Sequence, residues 1–205
     1  MSGNQEIGGV RRELRRQATI LGGLVAIFWF LEVIDWIFFH GSLDRLGIRP
    51  RTLIGLRGIL QAPLLHAGFG HLLANTVPFL ILGWFVMVRR QVDFYAVTGI
   101  TALVSGLGIW LIGPARSVHI GASGLIFGYF GFLLFRGYFE RSISSVLWSV
   151  FVGLLYGGML FGIFPRGVGI SWQAHLFGFA GGALAAYLLT RWRTTTGPRD
   201  SPSSE

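Results

Sequence analysis

The sequence lacks both cysteine and lysine, and it has few charged residues of any kind. Without cysteine, the 205-residue chain has no disulfide, thiolate nucleophile or cysteine metal site. Without lysine it has no serine–lysine catalytic pair, and its 17 basic residues are all arginine, as in GC-rich bacterial genomes. Charged residues make up 13% of the chain and hydrophobic residues 52%, whereas an ordinary soluble domain is about 25% charged. The composition therefore predicts an integral membrane protein.

Six apolar runs divide the chain, and each has about the 20 residues that a helix needs to cross a hydrocarbon core of about 30 Å. The runs cover residues 19–39, 69–88, 92–112, 121–139, 143–163 and 172–190. They predict an all-α, polytopic bundle of six transmembrane helices over residues 19–190. Residues 1–18 form a polar N-terminal segment, residues 40–65 a large interfacial loop, and residues 191–205 a disordered tail. The first run is too long for a signal-peptide core and has no cleavage site, so it stays as a span.

The arginines predict the orientation of the bundle. With six spans, eleven arginines fall on the side of the two termini and six on the other side. By the positive-inside rule both termini are cytoplasmic, which in a bacterium places the protein in the inner membrane. The net charge of +8 lies in short clusters between apolar runs, so anionic lipid headgroups, and not nucleic acid, are the expected partner.

Polar residues open three alternate spans on the side predicted to face outward. His71 and Asn75 are four apart and share one helix face, Ser123 opens the fourth span, and His175 opens the sixth. A lone serine in a membrane helix usually bonds its own backbone, and a lone histidine is more often structural. Four such groups at one depth favour a functional site, because polar groups inside a membrane are costly. A serine nucleophile also needs an adjacent base, which a neutral histidine supplies.

Small residues recur at four-residue intervals on two of these spans. They are Gly124 and Gly128 on the fourth, and Ala174, Gly178 and Gly182 on the sixth. Such rows let helix backbones approach closely in lipid. Taken alone they indicate packing grooves; beside Ser123 and His175 they also offer a way to bring the two side chains together.

With these motifs in this order, the chain resembles the rhomboid intramembrane serine proteases over residues 50–190. The matching residues are Gly121-Ala122-Ser123-Gly124, His71-Leu72-Leu73-Ala74-Asn75 with His66 before it, and His175-Leu176-Phe177-Gly178 followed by Gly182. The large first loop fits as well. The resemblance implies hydrolysis of a peptide bond in transmembrane protein substrates near the outer face of the bilayer, without a metal or organic cofactor.

The resemblance also implies roles for individual residues. Ser123 is the expected nucleophile and His175 its general base, with no third acidic member. His71 and Asn75 match positions that form the oxyanion hole with the Ser123 N–H, and Phe127 matches an aromatic that packs on the catalytic histidine. The remaining matched positions are supporting ones: Gly121, Gly124, Gly178 and His66. His66 is expected to anchor a loop by hydrogen bonding.

The sequence departs from the family at two positions. Leu56-Arg57 stands where many members carry Trp-Arg in the large loop, and Gln61 stands where some have a further histidine. The packing of the loop is therefore expected to differ, and no role for position 61 is transferred.

Other functions fit less well. A zinc protease needs a His-Glu-x-x-His pair, and His66 and His71 are five apart without a glutamate between them. A catalytically silent, client-binding relative remains the alternative, although such proteins generally lack the serine or the histidine. Glu32 and Asp35 could suit a transporter, but no inverted repeat is present, and ion pairing with the arginine-rich loop is the preferred interpretation. His40 and His119 fall in loops and receive no role.

Overall fold

A computed structural model describes residues 2–165 and 169–196, with side chains from residue 7 onward. Seven α-helices form this part of the chain. They are α1 (Ser2–Ile34), α2 (Leu53–Gln61), α3 (Phe69–Met87), α4 (Gln91–Ile112), α5 (Ser123–Glu140), α6 (Ile143–Tyr156) and α7 (Trp172–Thr196). A π-helical turn, Asp35–Phe39, extends α1, and a 3-10 segment, Gly157–Ile163, extends α6. No strand occurs among these residues, so the all-α prediction is confirmed.

The membrane-spanning character predicted from the sequence is also confirmed. Four helices in the described part are long and apolar enough to cross a membrane: α1 and α6 with their extensions, α3 and α4. The other two predicted spans form α5 and α7, whose compositions are less apolar because α5 carries Arg136 and Glu140 and α7 carries Gln173, His175, Arg191 and Arg193. Helix α7 continues to Thr196, six residues past the predicted end of its span. Residues 197–205 of the predicted tail and Arg166 lie outside the described residues.

Helices α5 and α7 form the centre of the bundle, and along one row of glycines they meet backbone to backbone. Every residue of α5 from 124 to 133 is buried. A Cβ atom added at Gly178 would collide with the carbonyl oxygen of Gly124, and one added at Gly182 would collide with that of Gly128. The two rows of small residues therefore place backbone directly against backbone, as the four-residue spacing predicted.

The large loop after α1 is folded and docked, not free. It contains α2. Thr52 caps the first turn of this helix, because the Thr52 hydroxyl accepts a hydrogen bond of 3.1 Å from the Gly55 N–H. The guanidinium of Arg51 donates to the carbonyls of Leu111 (3.1 Å) and Gly113 (2.8 Å) at the end of α4. These bonds satisfy carbonyls that the end of a helix leaves without partners, and they fix the loop to the bundle.

Helix α6 lies at the edge of the bundle. Only 6% of an 18-residue apolar stretch within α6 and its extension is buried, and Ile143 and Leu154 are among its exposed apolar side chains. In a membrane these side chains contact lipid, so exposure here agrees with the predicted class.

A buried ion-pair network joins the ends of α4, α5 and α7 away from the serine. Asp93 is 1% exposed and pairs with Arg193 at 2.5 Å. Glu140 accepts from Arg136 (2.9 Å), Arg193 (2.8 Å) and Arg89 (2.7 Å). The side chain of Ser145 also donates to Glu140. Because charges inside a bundle are stable only when paired and hydrogen-bonded, this network ties three helices together at one end.

Candidate active site

The residues that the sequence singled out line one cavity at the end of the bundle where α3, α5 and α7 begin. The cavity has a volume of about 830 Å³, and its walls include Ser123, His175, His71, Asn75 and Phe127. They come from three helices and three distant parts of the sequence. The order of the spans predicted that these residues lie at one depth in the membrane, and in the structure they line one cavity.

Ser123 stands at the first position of α5 because of the glycine turn before it. Gly121 has φ = +109°, a conformation that L side chains rarely adopt. A Cβ atom there would also lie 2.7 Å from His71 Cε1. The first residue of a helix has no intrahelical partner for its N–H, so the Ser123 N–H is free to bind an anion beside its own hydroxyl.

His175 is oriented by a backbone carbonyl and not by a carboxylate. Its Nδ1 lies 2.9 Å from the carbonyl oxygen of Gly162. A carbonyl only accepts hydrogen bonds, so Nδ1 carries the proton and Nε2 is left with its lone pair, ready to act as a base. Phe127 stacks flat on the imidazole. A Cβ atom at Gly162 would lie 2.7 Å from Phe127 Cζ, so a larger residue there would displace the stacked ring.

His71 is held in the complementary tautomer. Its Nδ1 accepts a hydrogen bond of 3.3 Å from the Ala67 N–H, so its other nitrogen, Nε2, carries the proton in the neutral ring and is a donor. That nitrogen lies on the side of Gly121, against the turn that leads into Ser123. A donor there suits a negatively charged oxygen formed next to the serine.

Asn75 lies one helical turn after His71 and is 5% exposed. Its Nδ2 donates to the His71 carbonyl at 2.8 Å, which leaves one further N–H of the amide for another acceptor. Among the hydrogen bonds of the described residues, none joins the Ser123 hydroxyl to His175. Catalytic hydrogen bonds are often long before substrate binds, and they shorten in the complex.

His66 differs from its expected role as a hydrogen-bonding loop anchor. It is 2% exposed, and neither ring nitrogen has a hydrogen-bond partner of normal geometry among the described residues. Its ring instead packs on Phe28 (centroids 5.4 Å apart) and on His71 (5.3 Å). Burial, and secondly the neighbouring His71, lower the pKa of His66 to about 4. Packing thus holds the residue in place, and its ring supports that of His71.

The interpretation of Glu32 and Asp35 as ion-pair partners of the arginine-rich loop was wrong. Both are buried, yet neither forms an ion pair among the described residues. Asp35 accepts a hydrogen bond of 3.1 Å from the Leu43 N–H and so fixes the start of the loop. Two arginines of the loop bond backbone carbonyls: Arg49 that of Arg45 at 3.0 Å, and Arg51 those of Leu111 and Gly113.

Several residues of the cavity wall were missed from the sequence. They are Asp44, Ser117, His119, Ser171 and Gln173. Asp44 lies in the large loop, where burial, and secondly Asp35, raise its pKa to about 6. His119 and Ser117 come just before the serine motif, and this proximity was the one feature of the sequence that could have placed them at the site. No feature of the sequence pointed to Asp44, which lies in the large loop.

Comparison with known proteins identifies a family. The Rhomboid domain matches residues 55–192. An uncharacterized protein of Mycobacterium tuberculosis is 43% identical over 190 residues, which cover 86% of this chain and 78% of that protein. A Bacillus subtilis protein named as a candidate rhomboid protease, YdcA, is 29% identical over 176 residues, covering 80% of this chain and 87% of its own. RHOMBOID-like protein 4 of Arabidopsis thaliana is 29% identical over 140 residues, covering 64% and 33%.

Proposed function

Since this chain belongs to the rhomboid family, we propose that it is an intramembrane serine protease that cleaves transmembrane proteins through a pair formed by Ser123 and His175. The family match covers residues 55–192 and so includes both of these residues. The observation that supports the proposal most strongly is the orientation of His175. Its Nδ1 is bound to the Gly162 carbonyl, so Nε2 is free to take a proton inside the cavity that Ser123 also lines.

The proposed reaction is hydrolysis in two steps. The Ser123 hydroxyl attacks the scissile carbonyl while His175 Nε2 takes its proton, and the same proton then passes to the leaving amine. Water next attacks the acyl-enzyme, with His175 again acting as the base, and Ser123 regains its proton. No carboxylate takes part, because the Gly162 carbonyl already sets the tautomer of His175.

The oxyanion of each tetrahedral intermediate needs donors that are in place before charge develops. We assign this role to His71 Nε2, to the free N–H of Asn75 and to the backbone N–H of Ser123. The supports for it are the bond from Ala67 to His71 Nδ1 and the bond from Asn75 to the His71 carbonyl. These two hydrogen bonds come from the protein itself, so they hold the donors in place without the substrate.

The proposed site lies near the outer surface of a bacterial inner membrane. The opposite end of the bundle carries Arg89, Arg136 and Arg193. By the positive-inside rule this end faces the cytoplasm, together with both termini. Substrate segments reach the cavity from the bilayer and water reaches it from outside. Helix-breaking residues near the scissile bond are expected, because a peptide bond must be extended before a serine can attack it.

Labelling with a fluorophosphonate probe tests the function directly. We expect the native protein in liposomes to be labelled, and Ser123→Ala and His175→Ala to lose labelling while keeping the native melting temperature within a few degrees. Labelling that persists in Ser123→Ala would move the nucleophile elsewhere. A folded native protein that is never labelled would overturn the proposal and favour the silent, client-binding alternative.

A further inference from the structure

A third histidine lines the cavity, and both of its ring nitrogens are hydrogen-bonded to serines. His119 lies in the connection between α4 and α5 and is 8% exposed. Its Nε2 is 2.8 Å from the hydroxyl oxygen of Ser117, and its Nδ1 is 2.7 Å from that of Ser171. These bonds are short and well formed, and the proposed reaction uses none of the three residues.

Ser171 is the residue from which α7 starts. It directly precedes Trp172, the first residue of the helix. Its hydroxyl accepts a hydrogen bond of 3.3 Å from the Ala174 N–H, and its carbonyl accepts one of 3.3 Å from the His175 N–H. A serine bonded in this way caps the helix and fixes the direction of its first turn, which is the turn that carries His175.

The positions of His119 and Ser171 match each other along the chain. His119 lies four residues before Ser123, and Ser171 lies four residues before His175. Their side-chain hydrogen bond thus joins the segments that lead into the two helices of the proposed catalytic pair. Along the chain this bond comes four residues before both reacting groups, and the tight contact between Gly124 and Gly178 comes just after them.

The hydrogen-bond partners determine which nitrogen of His119 carries the proton. The Ser117 hydroxyl donates to the Pro114 carbonyl at 2.7 Å, so its oxygen accepts from His119 Nε2–H. The Ser171 hydroxyl accepts from Ala174, so its own proton is free to go to His119 Nδ1. A neutral ring protonated at Nε2 satisfies both bonds and gives the Ser171 proton an acceptor. Burial lowers the pKa of His119, which favours that neutral form.

The backbone of His119 is anchored as well. Its N–H donates to the Ile48 carbonyl at 3.0 Å, and its carbonyl accepts from the Ile48 N–H at 2.9 Å. Two residues later the Gly121 N–H donates to the Ala62 carbonyl at 2.8 Å. The imidazole therefore projects from a segment that is fixed on the docked large loop, and it can hold Ser171 in one place.

We propose that His119 is a positioning residue, whose bond to Ser171 sets the spacing between Ser123 and His175. The inference rests on the proposed protease function. A displacement of about 1 Å between reacting groups can cost about 100-fold in rate. Loss of this bond should therefore reduce the reactivity of Ser123 more than it reduces the stability of the fold.

The test compares His119→Phe and Ser171→Ala with Ser117→Ala, which removes the other partner of the same ring without touching α7. Fluorophosphonate labelling in liposomes gives the maximal labelling rate and the half-saturating probe concentration separately. We expect the maximal rate to fall about 10- to 100-fold in His119→Phe and Ser171→Ala, with less than about a threefold change in half-saturation. The double variant should be no slower than the slower single variant.

Two further measurements separate positioning from simple destabilisation. His119→Gln can still accept from Ser171 and should recover to within about fivefold of the native rate. Nitrogen-15 spectra of the histidine rings, with His119 assigned from His119→Phe, should show a neutral ring protonated at Nε2 whose Nδ1 signal shifts in Ser171→Ala. The inference is overturned if the maximal rate is native in His119→Phe, if Ser117→Ala is as slow as Ser171→Ala, or if the proton lies on Nδ1.

The spectra also keep the two proposals distinct. If the native protein is never labelled, the protease function fails, and the ring spectra still decide whether His119 holds Ser171. If Ser123 is labelled and the variants keep the native rate, only the positioning role fails.

Discussion

The ring of Phe127 lies flat on the imidazole of His175, with centroids 4.0 Å apart and planes inclined by 5°. The stack fixes the plane of the imidazole, while the Gly162 carbonyl fixes its rotation within that plane. A histidine held in two such ways needs little reorganisation before it takes a proton.

Replacing Phe127 with leucine should slow labelling of Ser123 by about 2- to 10-fold. Aromatic pairs contribute about 0.5 to 1.5 kcal/mol beyond the area they bury, and leucine leaves the imidazole free to tilt. Phe127→Tyr keeps the stack and serves as the control. Labelling as fast as native in Phe127→Leu would show that the carbonyl alone orients His175.

Asn75→Ala should lower substrate turnover about 100- to 1,000-fold, as removal of one oxyanion donor does elsewhere. The melting temperature should change little, because the bond lost lies within a single helix, from Asn75 to the His71 carbonyl. Turnover of a transmembrane peptide in reconstituted vesicles, measured beside thermal unfolding, checks both parts. Unchanged turnover would remove Asn75 from the site.

Gly178→Ala should destabilise the bundle by about 1 to 3 kcal/mol or more, since overpacking is costly where the neighbour cannot move. The added methyl group meets the Gly124 carbonyl, which is part of a helix backbone. Gly99→Ala is the matched control, because a Cβ atom at Gly99 has no neighbour within 4 Å. Denaturation in detergent should separate the two variants, and equal stability would contradict the backbone contact.

Asp93→Asn should lower the melting temperature by about 6 to 12 °C. It removes the charge from the buried partner of Arg193 and leaves that arginine paired with Glu140 alone, and breaking a buried ion pair costs about 3 to 5 kcal/mol. Arg90→Gln removes an exposed charge at the same end of the bundle and should have little effect. Labelling of Ser123 well below the melting temperature should stay native in both variants, because the network lies at the far end.

His66 predicts a loss of stability in acid. Its pKa is lowered to about 4 in the fold from an ordinary value of 6.5, mainly by burial. A depressed histidine pKa stabilises the fold above pH 6.5, and this contribution disappears as pH falls from 6.5 toward 4.

The melting temperature of His66→Phe should therefore fall less than that of the native protein between pH 7 and pH 4.5. Phenylalanine keeps the packing on Phe28 and His71 without a titrating group. His40→Asn, at an exposed turn with φ = +49° that asparagine tolerates, is the control. Comparing variants at each pH cancels the opposite contribution of Asp44, whose raised pKa of about 6 favours the fold in acid. Parallel curves for the native protein and His66→Phe would contradict the prediction.

The sequence predicted the elements that depend on local pattern. Apolar runs of membrane length placed α3, α4, α5 and α6 with its extension within a few residues, whereas α1 begins at Ser2, 17 residues before the predicted start of its span. The four-residue spacing of Gly124 and Gly178 with their neighbours predicted the central contact. The cavity followed because alternate spans begin on the same side. These inferences needed only helix periodicity and the thickness of a bilayer.

The contacts that were missed depend on how loops fold. His119 reaches Ser171 across 52 residues, and Asp44 enters the cavity wall through the course of the large loop. The two acids near the end of α1 seemed suited to the arginines nearby, but Arg49 and Arg51 bond backbone carbonyls instead. Loop geometry depends on many weak backbone contacts, and spacing along the chain does not encode them.

The glycine contacts between α5 and α7 also bear on how this protein can evolve. When two side chains clash, a smaller residue on the partner restores the fit. At Gly178 and Gly182 the partner is a backbone carbonyl, and no smaller residue exists. Second-site suppressors of substitutions at these two glycines should therefore be absent from α5, and a genetic screen should recover reversions almost exclusively.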